Sequence, residues 1–174
     1  MPRIHVCSLA RLHDTVAATG AGHVLTVINA GTPVVRPPSI AADRHRFIGV
    51  SDIVAAHDGM ILPAEDHIAQ ALAFARAWDR AAPLVVHCYA GVSRSTATAF
   101  IAACALRPDF DEALIARTIR ARAPSATPNA RFVALADAML GRQGRMIAAV
   151  EAIGRGADCF EGEPFHLDLG PRGP

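Results

Sequence analysis

The stretch Val85 to Ala97, VVHCYAGVSRSTA, constrains this chain more than any other. A β-branched run, Leu84-Val85-Val86, stops at His87-Cys88, and a loop with one glycine follows. Arg94-Ser95 then opens an apolar stretch long enough for about three helical turns. The pattern predicts a strand, an anion-sized loop and a helix. Five residues separate Cys88 from Arg94, so a tight loop brings a thiol under a ring of backbone N–H groups with a guanidinium beside it. N–H groups converging at a helix N-terminus favour a phosphate-sized dianion. The same field stabilises a thiolate, and Cys88 is expected to be a nucleophile at neutral pH. The competing reading makes Cys88 a buried thiol serving as a small core hydrophobe. It leaves Arg94 as a surface cation at a helix start, where the helix dipole disfavours it.

The rest of the chain is read around that stretch. Ile4 to Leu9, His23 to Asn29 and Arg46 to Ser51 have the short apolar character of strands, with Asp52 directly after the third. His23 to Asn29 is almost continuously apolar, as in a strand buried on both faces. Ala10 to Thr19 reads as a short helix ended by Gly20, and Val34 to Asp43 as loop. From Pro63, Ile68, Leu72, Ala75 and Trp78 recur at helical spacing, with Pro63 suited to the first turn. Helices are expected over Asp111 to Ala121, with Leu114, Ile115 and Ile119 as apolar positions, over Asn129 to Leu140 with Asn129 as N-cap, and over Arg142 to Ile153. The Gly- and Pro-rich end, 155–174, reads as a surface tail in which Phe165-His166-Leu167 can add an edge strand. Strands alternating with helices and then a run of helices imply an α/β fold: a mixed central sheet flanked by helices, with a helical layer C-terminal to the loop.

No boundary divides the 174 residues, so one domain spanning 1–174 is expected. A formal net charge of +1 leaves no basic excess to draw the chain onto nucleic acid or an anionic membrane. No run approaches the roughly 18 apolar residues of a membrane span, and the first residues lack the apolar core of a signal peptide. Cys7, Cys88, Cys104 and Cys159 are scattered without zinc or disulfide spacing. A reducing, cytoplasmic setting follows as the expectation. The histidines outside the loop show no ligand spacing; His57, Asp58 and His67 are too loosely spread to argue for a metal.

His87-Cys88-Tyr89-Ala90-Gly91-Val92-Ser93-Arg94-Ser95 resembles the signature loop H-C-x-x-G-x-x-R-[ST] of the cysteine-based protein tyrosine and dual-specificity phosphatases, matching all five fixed positions. The longer run GVSRSTA is also similar to that of small bacterial proteins labelled tyrosine phosphatases. The resemblance covers about 46–132. It implies the phosphatase α/β fold and two-step hydrolysis of a phosphomonoester through a phosphocysteine, with no cofactor and no metal. Cys88 would attack phosphorus, while Arg94 and the backbone of Tyr89, Ala90, Gly91, Val92, Ser93 and Arg94 cradle the phosphoryl oxygens. Ser95 would help the thiolate depart, with a helix cap as its structural alternative. His87 would orient the loop and help keep the cysteine ionised.

Two aspartates fit the general acid that the family carries upstream: Asp52, at the expected strand end, and Asp58, in the loop AHDGM. Asp52 is favoured because a strand end positions an acid better than a loop tip; no W-P-D of the tyrosine-specific pattern is present. The segment Arg122 to Phe132 resembles the P-N-x-x-F segment of dual-specificity phosphatases, which makes Asn129 a brace near the loop. The expected partner is a phosphorylated protein or another phosphomonoester. No lysine in the loop meets extra phosphates, as in phosphoinositide phosphatases, and no phosphotyrosine-recognition loop deepens the pocket. Two alternatives stay open: a catalytically silent phosphoprotein-binding module of the same fold, and a rhodanese-like cysteine enzyme. Cys7 and Cys159 are candidates for an oxidative disulfide with Cys88, depending on their distance.

Overall fold

A computed structural model describes residues 1–170. In chain order it contains β1 (Arg3–Ser8), α1 (Leu12–Thr19), β2 (His23–Ile28), β3 (His45–Gly49), α2 (Glu65–Ala77), β4 (Leu84–Cys88), α3 (Arg94–Leu106), α4 (Glu112–Arg122), α5 (Ala130–Met139), α6 (Arg145–Ile153) and β5 (Phe165–Asp168). Among the described residues these strands form a five-stranded sheet in the order β3-β2-β4-β1-β5. β1, β2, β3 and β4 run parallel, and β5 closes one edge antiparallel to β1. The loop after β4 therefore leaves the middle of the sheet, at the C-terminal ends of the parallel strands, where α/β sheets bind ligands.

Every residue of β2 and β4 is buried, as expected for parallel strands covered on both faces. On one face Leu25, Val27, Leu84 and Val86 join Phe100, Ile101 and Phe132 in the larger core. On the other, Cys7, Val24 and Val85 pack with Leu12 and Val16 of α1. α3 is buried almost throughout, so its threonine hydroxyls find protein carbonyls one turn back along the chain. Thr96 Oγ1 donates to the Val92 carbonyl at 2.6 Å and Thr98 Oγ1 to that of Arg94 at 2.7 Å. Of the described residues, no helix is long and apolar enough to cross a membrane.

Several boundaries differ from the sequence reading for identifiable reasons. β3 ends at Gly49 rather than Ser51, with Val50 N still donating to the Ile28 carbonyl at 2.8 Å, and Gly49 runs close to Ala30: a Cβ on it would lie 3.0 Å from that of Ala30. Asp52 thus stands beyond the strand and not at its end. Pro63 lies outside α2, whose N-cap is Ala64, and its carbonyl instead accepts a bond from Arg131 Nε at 2.6 Å. Leu114 is exposed, the buried face of α4 being Ile115, Ala116 and Ile119. α6 starts at Arg145 because Gln143 and Gly144 adopt left-handed φ values of 55° and 84°. The edge strand forms with Phe165 and Leu167 inward. Residues 171–174 of the expected surface tail lie outside the described residues.

Phe100, fully buried between the sheet and the outer helices, tests this packing. Phe100→Ala is expected to cost about 3–5 kcal/mol, read as a lowered urea midpoint with an unchanged m-value.

Candidate active site

The loop from Tyr89 to Ser93 is held with its carbonyls outward. Tyr89 O accepts from Leu9 N at 3.1 Å, Ala90 O from Gly162 N at 2.9 Å, Val92 O from Thr127 N at 2.9 Å and Ser93 O from Asn129 N at 3.3 Å. The N–H groups of Ala90, Val92 and Ser93 meet no acceptor among the described residues. Gly91 adopts φ 74°, and a Cβ there would sit 2.8 Å from the backbone of Cys7 and Ser8. Only glycine fits this turn.

Cys88 is buried, and its Sγ lies 3.3 Å from Gly91 N, which donates to it, and 3.1 Å from Ser95 Oγ. Ser95 is fully buried and turned onto the sulfur, so it does not serve as the helix cap that its position allowed. No side chain caps α3, and no acidic residue stands in its first turn. That helix N-terminus keeps its positive potential directed at the loop.

Arg94 is buried at the loop's end. Its Nη1 donates to Asn29 Oδ1 at 2.5 Å and to the Val50 carbonyl at 2.8 Å, groups that follow the ends of β2 and β3. Its buried Nε has no partner among the described residues. One edge of the guanidinium is thus anchored in the protein, and a donor is left on another.

Asp52 Oδ1 accepts from Ser93 Oγ at 2.7 Å and from Asn129 Nδ2 at 2.8 Å. The structure therefore brings Asp52 against the loop by hydrogen bonds rather than by a strand end. Asn129 also accepts from Arg131 N and Phe132 N, both at 3.1 Å, capping α5. Asp58 makes no hydrogen bond or ion pair among the described residues. His67 Nδ1 accepts from Ala64 N at 3.0 Å, and no cluster of three or more metal-ligating side chains occurs among the described residues.

His87 points to the opposite face of the sheet. Its Nδ1 donates to the Cys88 carbonyl at 3.3 Å, and its Nε2 lies 2.7 Å from Thr26 Oγ1, which in turn is 2.8 Å from His45 Nε2. A carbonyl only accepts, so neutral His87 carries its proton on Nδ1. Thr26 then donates to His87 and accepts from His45. Burial, with His45 nearby, lowers the pKa of His87 to about 4. His87 is therefore uncharged at neutral pH, and it contacts the Cys88 backbone through a hydrogen bond and not through positive charge.

Cys7 faces that same side with His87, its register partner, whereas Cys88 pairs with Ser8 and faces the other way. A disulfide between Cys7 and Cys88 would therefore have to cross the sheet, and burial pushes the Cys7 thiol up to about 12. Cys159 is exposed on the segment following α6.

Sequence reasoning missed Asn29, Thr26, His45 and Ser8. None has a spacing signal, because tertiary contacts bring each in: Asn29 to Arg94, Thr26 to His87, His45 to Thr26 and Ser8 to Glu161.

No protein-family model matches the chain, and no curated protein matches it in sequence. Solved structures do resemble it. DUSP15 superposes with a TM-score of 0.63 at 17% identity, over 86% of this chain and 90% of that one. Human DUSP28 gives a TM-score of 0.62 at 20% identity over 80% and 89%. The Cydia pomonella PTP-2 phosphatase gives 0.61 at 18% identity over 78% and 84%. The mixed sheet and its flanking helices are the fold of the cysteine-based dual-specificity and tyrosine phosphatases.

His87 gives a stability test. Its folded pKa lies below the ordinary histidine value, so its stabilising contribution is complete above about pH 6.5 and is lost as pH falls towards 4. His5, also lowered to about 4 mainly by burial, acts in the same direction. Urea denaturation of the wild type should show stability falling by several kcal/mol between pH 7 and pH 4. His87→Asn should remove about 3 kcal/mol of that fall.

Proposed function

We propose that this chain is a phosphoric monoester hydrolase of the tyrosine or dual-specificity phosphatase kind, working through a phosphocysteine. The observation that carries this reading is the placement of Cys88 Sγ between the Gly91 N–H and the Ser95 hydroxyl, at the head of a loop that ends in buried Arg94, whose Nε has no partner among the described residues. A phosphoryl group above the sulfur would find inward N–H groups and a guanidinium for its equatorial oxygens. Lysine would not reproduce that fork.

In the first step the Cys88 thiolate attacks phosphorus, the S–P bond forms and the bond to the leaving oxygen breaks. Asp52 gives that oxygen its proton from Oδ2, since Ser93 and Asn129 occupy Oδ1. In the second step water attacks phosphorus, the Asp52 carboxylate takes its proton, and the S–P bond breaks. Ser95 hydrogen-bonds to the departing thiolate. The substrate we assign is a phosphorylated protein, and Cys88 must stay reduced, which calls for a reducing compartment such as the cytoplasm.

Turnover of p-nitrophenyl phosphate tests the reading, with Cys88→Ser expected to abolish it. Phosphate binding without turnover in the wild type would instead identify a silent binding module. On phenyl phosphate, a poorer leaving group, Asp52→Asn should lower kcat by about 10²–10³ and remove the decline in rate on the alkaline side. Asp58→Asn should leave both unchanged; the opposite result would move the acid to Asp58.

A further inference from the structure

The segment between α6 and β5 is fastened along the outer side of the signature loop. Gly156 N donates to Thr127 Oγ1 at 3.0 Å, Ala157 N to the Pro124 carbonyl at 2.9 Å and Gly162 N to the Ala90 carbonyl at 2.9 Å. The approach is close: a Cβ on Gly162 would lie 2.9 Å from the Gly91 carbonyl oxygen. This strap presents Phe160, fully exposed, and Glu161 beside the loop.

Between the strap and the loop lies a recess of about 310 Å³, lined by Ser8, Leu9, Ala10, Tyr89, Ala90, Phe160 and Glu161. Tyr89 and Ala90 belong to the signature loop itself, so the recess shares a wall with the reaction centre. Its lining is apolar and aromatic, with Tyr89 two-thirds exposed at 67%. The carboxyl side chain that lines it is that of Glu161. One oxygen of Glu161 accepts from Ser8 Oγ at 2.6 Å, which fixes the carboxylate, and its other oxygen has no hydrogen-bond partner among the described residues. Arg11 lines the adjoining recess with Glu161 and Glu163, yet forms no ion pair with Glu161 among the described residues. Large apolar side chains left in water beside a fixed, unneutralised carboxylate need a particular occupant. A cation on an aliphatic stem fits: its methylenes cover the apolar wall, its head meets the carboxylate, and the two rings supply faces for a cation.

We propose that this recess is a substrate subsite for a lysine or arginine close in sequence to the phosphorylated residue, so that the substrates are phosphoproteins with a basic flank. The proposal deepens the phosphatase reading and rests on it. A phosphoinositide, carrying additional phosphates, would meet Glu161 with like charge.

The test measures kcat/KM of the whole protein on synthetic phosphotyrosine peptides that differ only in lysine or glutamate at the positions flanking the phosphoresidue. The wild type should prefer the lysine peptide by about fivefold, the size expected of an exposed ion pair reinforced by a cation–π contact. The preference should shrink as salt is raised. Glu161→Gln, which can keep the bond from Ser8, should bring the ratio near one, and Glu161→Arg should invert it. A wild-type ratio near one, a preference untouched by Glu161→Gln, or faster hydrolysis of a soluble phosphoinositide than of either peptide would overturn the subsite. If wild-type protein hydrolyses neither peptide nor p-nitrophenyl phosphate, the phosphatase reading itself fails. If it hydrolyses both peptides equally, only the subsite fails.

Discussion

The outward turn of the signature loop's carbonyls is the constraint on which the site depends. N–H groups can converge on one point only if the carbonyls of the same peptides point away, and buried carbonyls must find donors. Separate parts of the chain supply them: Leu9 after β1, Thr127 and Asn129 between α4 and α5, and Gly162 in the strap before β5. Gly91 makes the turn, and Gly162 lets the strap come close. The shape of the loop is therefore a tertiary product of distant segments, although its residues are contiguous.

The side chains around the cup are positioned in the same way. Arg94 is fixed through Nη1, tied to Asn29 and the Val50 carbonyl, while its buried Nε has no partner among the described residues. Asn129 joins two tasks, capping α5 through Oδ1 and holding Asp52 through Nδ2. On the far face the Cys88 carbonyl fixes the tautomer of His87, whose Nε2 then accepts from the Thr26 hydroxyl. Preorganisation of this kind lets fixed dipoles stabilise developing charge without reorganising when the reaction occurs.

The contiguous part of the site was legible in the sequence, because spacing alone places Cys88, the loop and Arg94 around one point. The order of strands and helices was legible too, from apolar runs and from glycine and proline punctuation. The contact of Asp52 with the loop does not come from the strand end that the sequence implies. The strand stops at Gly49, and Ser93 and Asn129, distant in sequence, bring the carboxylate to the loop. Thr26, His45, Asn29 and Glu161 could not be read in advance, since sheet register and strap packing bring them in and neither leaves a periodic trace. Leu114 failed as a core residue because helical periodicity gives a face only to within about one position, and Ile115 and Ile119 define the buried side.

The most direct test of the account asks whether an oxyanion occupies the space above the Cys88 sulfur under the guanidinium. Alkylation by iodoacetate, mapped by peptide mass, should reach Cys88 as well as exposed Cys159, and inorganic phosphate should protect Cys88 alone. In Arg94→Ala that protection should disappear while alkylation of Cys159 continues. Unreactive Cys88, or labelling indifferent to phosphate in the wild type, would contradict the claim that loop and arginine together form an anion cup over a nucleophilic sulfur.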